Sequence, residues 1–99
     1  MVKFNVIYDD CYYDVDIIAV PDEIANELSN LAYEFCCWTP PDDDPYGWTI
    51  LNGKKVRAVE TVGFVKWLND NSCTELKEKA NIVEQHIKYC DKYQKITVF

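Results

Sequence analysis

Alternation with a period of two at the start of the chain is the feature that most constrains its fold. Val2, Phe4, Val6 and Tyr8 fall on one side of an extended segment, and Lys3, Asn5 and Ile7 on the other. Successive side chains of a strand point to opposite faces, so the pattern marks a half-buried strand. Tyr12 to Val20 repeats it, with Tyr13, Val15, Ile17 and Ala19 on one face and Tyr12, Asp14, Asp16 and Ile18 on the other. Asp9, Asp10 and Cys11 offer a turn between them, so an N-terminal antiparallel hairpin is expected.

Pro21 suits the first position of a helix, and Asp22 and Glu23 suit the positive end of its dipole. Ile24, Leu28, Leu31 and Phe35 recur at helical spacing and should face a core, while Glu23, Glu27, Asn30 and Glu34 take another face. Pro40 and Pro41 end this helix near Trp38. Asn52-Gly53, a strong hairpin signal, joins Trp48–Leu51 to residues 54–59. Thr61 to Asn71 reads as a helix with Phe64, Trp67 and Leu68 on one side. Ser72 and Glu75 have capping-box spacing, and Leu76, Ala80, Val83, Ile87 and Cys90 continue in helical steps, which predicts a longer helix to about Lys92. Residues 95–99 read as a last strand joining the N-terminal hairpin. The expected order is β-β-α-β-β-α-α-β: a single α+β domain over residues 1–99, with a small antiparallel sheet and helices packed on one face.

Charge is distributed unevenly over this framework. Eleven carboxylates and one base, Lys3, precede Pro45, whereas nine bases and six acids follow it, for a net charge of −7. Phosphate backbones and anionic membranes call for Lys and Arg, so neither nucleic acid nor membrane is an expected partner. No apolar run approaches the roughly 18 residues of a membrane span. The five cysteines and the lack of an export signal predict reduced thiols, packed as small apolar side chains, in a cytoplasmic protein.

Catalytic signatures are sparse. Gly47, Gly53 and Gly63 form no phosphate-binding loop, and Ser29 and Ser72 lie in no nucleophile motif. His86 and Cys90 are four apart on the expected helix and are the best start of a metal site, but no further ligands have zinc-finger spacing. Asp42, Asp43 and Asp44 do not complete a calcium loop, because Gly53 stands at the twelfth position, where a carboxylate is required. No catalytic residue, metal or cofactor is therefore assigned.

The residues expected to meet a partner are Asp14 and Asp16 on a strand, Glu23, Glu27 and Glu34 on a helix, Asp42, Asp43 and Asp44 on a loop, and the adjacent Tyr46 and Trp48. Carboxylates presented in place of phosphates can fill a nucleic-acid-binding groove and speed association. The expectation is a non-catalytic inhibitor, monomeric or homodimeric, that docks on a basic protein such as a nucleic-acid-binding enzyme. Anti-CRISPR and anti-restriction inhibitors of phages and plasmids, and immunity proteins of nuclease toxins, offer an analogy in size and charge only. The alternatives are an assembly module using the aromatic stripe of Tyr89 and Tyr93, and a small metal protein or enzyme using His86 with cysteines.

Overall fold

A computed structural model describes residues 1–8 and 11–98. Its elements are β1 (Val2–Ile7), β2 (Val15–Val20), α1 (Asp22–Ala25), α2 (Leu28–Cys37), β3 (Trp48–Leu51), β4 (Lys54–Arg57), α3 (Thr61–Asn71), β5 (Asn81–Ile87) and β6 (Gln94–Thr97). The fold is α+β, as expected. The order, β-β-α-α-β-β-α-β-β, corrects the expected one, and the main sheet is mixed rather than antiparallel. Its strands run β5-β2-β1-β6, with β6 parallel to β1, and β3–β4 forms a separate two-stranded sheet. The expected turn at Asp9 and Asp10 lies outside the described residues, as does Phe99 of the expected last strand.

The largest correction concerns the expected helix over residues 72–92. Ser72 ends α3 instead of opening another helix, its N–H donating to the Leu68 carbonyl at 2.7 Å. Residues 81–87 form β5 on the free edge of β2. All six residues of β2 are buried, and β1 pairs with only one of its edges. Buried backbone groups need hydrogen-bond partners, and β5 supplies them on the other edge. The expected helix after Pro21 is also divided. Pro21 is the cap residue, and the chain breaks at Asn26 and Glu27 before α2 begins.

Two apolar clusters hold the sheet, one on each face. Phe4, Val6, Ile18 and Val20 meet Ile24, Leu28 and Phe35 of α1 and α2 and Phe64, Trp67 and Leu68 of α3. Each such burial contributes about 1.5–3 kcal/mol. On the opposite face Ile7, Val15 and Ile17 are covered by Ile87, Tyr89, Cys90 and Tyr93. The segment that carries the last three is pinned by Asn5, which is fully buried. The Asn5 amide nitrogen donates to the carbonyls of Cys90 at 2.9 Å and Tyr93 at 3.1 Å, and its oxygen accepts the Cys90 N–H at 3.0 Å.

The β3–β4 hairpin turns as the sequence requires, with Asn52 at φ 53° and Gly53 at φ 77°. Arg57 ties it to the end of α2. Its guanidinium donates to the carbonyls of Trp38 at 3.2 Å and Phe35 at 2.8 Å, and also to Ala58. It also lies 4.7 Å from the Phe35 ring centre and 5.7 Å from that of Trp38. A cation at the C-terminal end of a helix is well placed for the helix dipole.

Candidate functional site: an acidic cleft and an acidic exterior

Asp16 sits opposite Val6, on the helix-facing side of the sheet, and is only 7% exposed. Its surroundings come from three elements: Tyr8 just beyond β1, His86 on β5, and Glu60 and Thr61 at the start of α3. With Val59, Val62 and Gln85 these residues line a cleft of about 370 Å³. The Tyr8 and Thr61 hydroxyls hydrogen-bond across it at 2.5 Å. The pairing of β2 with β5 is irregular here, shifting register between Val15 and Ile18. At this irregularity His86 adopts φ 57°, a left-handed conformation that costs a non-glycine residue about 1–3 kcal/mol. The conformation aims the His86 N–H at Asp16 Oδ1, 3.1 Å away. The His86 ring Nδ1 lies 2.9 Å from Asp14 Oδ1.

Three carboxylates thus gather round one histidine and one phenol. Burial, seconded by the charges of Asp16 and Glu60, pushes the Tyr8 phenol up to about 12 although its bond to Thr61 pulls it down, so the hydroxyl stays protonated. The hydrogen bond that its ring donates to Asp14, followed by the charges of Asp14 and Asp16, raises the His86 imidazole above its ordinary value. Asp16 Oδ1 is occupied by the His86 N–H. No described residue bonds its second oxygen, which is not sealed from solvent and opens on the cleft.

The other expected contact residues lie elsewhere. Glu23, Glu27 and Glu34 are exposed on the helical segment and Asp42 and Asp43 on the loop; Asp44 is half-buried. Among the described residues the ion pairs are Met1–Asp22, Lys55–Asp42, Lys66–Asp70 and His86–Asp14, so Glu23, Glu27, Glu34 and Asp43 make no contact ion pair, although Glu23 acts at longer range on the Met1 ammonium. The loop braces itself on the hairpin. Asp44 accepts the Tyr46 N–H at 2.9 Å, the Trp48 indole donates to the Pro41 carbonyl at 2.8 Å, and the Lys55 ammonium donates to the Asp42 carbonyl at 2.9 Å. Asp44 and Tyr46 also line an aromatic hollow with Phe35, Trp38 and Trp67. On its lining Lys66 pairs with Asp70 at 2.8 Å.

Of the expected set, the structure brings together Asp14 and Asp16, and joins to them Tyr8, Glu60, Thr61 and His86, none of which sequence reasoning had placed there. Tyr8 was visible as the last member of the β1 alternation; the contribution of α3 had no local signal. The helix expected to carry the Tyr89 and Tyr93 stripe does not form. His86 turns to the aspartates, whereas Tyr89 and Tyr93 pack against the second cluster. Among the described residues no three His, Cys, Asp or Glu side chains are grouped to hold a metal ion. Only Cys73 is fully buried; Cys36 and Cys90 are half-buried, and Cys11 and Cys37 are exposed, which corrects the expectation of uniformly packed thiols. Burial raises the Cys36 and Cys73 thiols, which makes them poorer nucleophiles. No helix among the described residues is long and apolar enough to cross a membrane. No family model, curated protein or solved structure matches the chain.

Proposed function

We propose that this chain is a non-catalytic binding protein of inhibitor type, whose acidic exterior docks on a basic, nucleic-acid-binding site of a partner protein. The observation that carries the reading is that Glu23, Glu27, Glu34 and Asp43 are exposed and have no ion-pair partner within the fold. Their field is directed outward, where it can attract a basic surface and accelerate encounter. The buried polar side-chain atoms, by contrast, all have hydrogen-bond partners among the described residues.

Capture from nuclease-treated bacterial lysate, eluted with a salt gradient, tests the reading. A captured basic protein should be released by salt, displaced by added duplex nucleic acid, and lost from a variant carrying Glu23→Gln, Glu27→Gln, Glu34→Gln and Asp43→Asn. Equal capture by that variant would contradict it.

A further inference from the structure

We infer that the cleft between β2, β5 and the start of α3 is a socket for one cationic side chain, an ammonium or guanidinium group, supplied by a partner protein. The inference rests on the binding-protein reading for the source of the cation; the chemistry of the socket stands on its own geometry.

A carboxylate that is more than nine-tenths buried is costly unless it is hydrogen-bonded or paired. Asp16 meets that demand with one hydrogen bond, and its other oxygen is left to solvent, whose place a cation can take. That oxygen faces the cleft with no donor from a described residue. Glu60 stands on the same cleft, and its side chain makes no capping bond to α3 and no ion pair. Both carboxylates raise the phenol of Tyr8, which places their fields on the same point. Asp14, which is not on the cleft lining, pairs with His86 and offsets its charge, so Asp16 and Glu60 leave the cleft net negative. The cleft therefore offers acceptors in excess of donors. The aromatic hollow near Asp44 differs, because of its two carboxylates Asp70 pairs with Lys66 and Asp44 accepts the Tyr46 N–H.

The walls select among cations. No three ligating side chains are grouped for a metal ion among the described residues. Val59 and Val62 line the cleft beside the carboxylates. An apolar wall leading to an acidic floor suits a lysine or arginine, whose aliphatic stem lies on apolar surface while its charged head seeks acceptors. The Tyr8 and Thr61 hydroxyls and the Gln85 amide oxygen can accept the remaining N–H groups of such a head.

Amide chemical-shift titrations with Nα-acetyl-lysine amide, Nα-acetyl-arginine amide and the uncharged Nα-acetyl-norleucine amide test the socket. One or both cationic probes should shift the amides of Tyr8, Thr61, Gln85 and His86, and norleucine amide should not. Whichever responds more strongly identifies the head group. Asp16→Asn keeps an acceptor for the His86 N–H and Glu60→Gln lies at an exposed position, so both variants should fold. Each should weaken probe binding about tenfold or more, as expected for a lost charge-assisted bond. Equal shifts with norleucine amide, shifts elsewhere only, or undiminished binding by Asp16→Asn would overturn the socket. Repeating the lysate capture with Asp16→Asn separates this inference from the reading it rests on. If the probes fail but the exterior carboxylates still govern capture, the socket falls and the docking reading stands. If the probes bind but neutralising the exterior leaves capture unchanged, the socket stands and the docking reading falls.

Discussion

Asn5 and Asp16 lie on neighbouring strands, are both buried and point to opposite faces of one sheet, yet the fold uses them differently. Asn5 is fully engaged. Its nitrogen and oxygen bind the backbone on both sides of the segment that covers the second cluster. Asp16 uses one oxygen to hold the strained His86 and leaves the other on a cleft. Asn5 is thus a structural clamp, whereas half of Asp16 is available to a ligand. Burial and hydrogen bonding alone do not separate the two roles; the unused acceptor does.

The largest effect should come from breaking the clamp. Asn5→Ala leaves the Cys90 N–H and the facing carbonyls without partners in the interior, and should cost about 3 kcal/mol in chemical denaturation. Arg57 extends the same category to the hairpin. Arg57→Met keeps an apolar stem against Phe35 but loses the bonds to Phe35 and Trp38 carbonyls, and should cost about 2 kcal/mol.

Tyr8 sharpens the comparison from the side of the cleft. Its phenol titrates at about 12 in the fold against an ordinary 10.0, so the folded chain keeps a proton that the unfolded chain releases. This contribution to stability is complete below about pH 10 and is lost as pH rises toward 12. Tyr8→Phe should flatten that alkaline step in thermal melts. The smallest effect belongs to exposed His86. Its raised pKa means that the pair with Asp14 contributes fully below the unfolded value of about 6.5 and is lost as pH rises through the folded value. Asp14→Asn should lower the His86 titration midpoint read by NMR while changing overall stability very little.

The same contrast between local and distant partners explains what the sequence could disclose. β1, the β3–β4 turn and α3 were legible because their patterns are local: a period-two alternation, Asn52-Gly53, and Phe64, Trp67 and Leu68 at helical spacing; β2 was legible as a strand, but it begins at Val15 rather than Tyr12 and both of its faces are buried. β5 was not, because Val83 and Ile87, which stand on that bulged edge strand, also continue a helical stripe from Leu76 and Ala80. The unsatisfied edge of β2 decided between them, and that edge is a property of the assembled sheet. The parallel placement of β6 against β1 has the same origin. Asp14 and Asp16 were legible as candidates, but their common partner, His86, stands 72 and 70 residues away along the chain. Glu60 and Thr61 joined the cleft only because α3 packs on the sheet.

Urea denaturation of the native chain, Asn5→Ala and Asp16→Asn, each with and without the responding cationic probe, tests the distinction between clamp and socket most directly. A ligand that binds only the folded state raises its stability. The account predicts that Asn5→Ala is much less stable but still stabilised by the probe. Asp16→Asn should lie within about 1 kcal/mol of the native chain and gain nothing from the probe. If Asp16→Asn instead loses as much stability as Asn5→Ala, or is stabilised by the probe as strongly as the native chain, Asp16 is a structural residue and the cleft is not a socket.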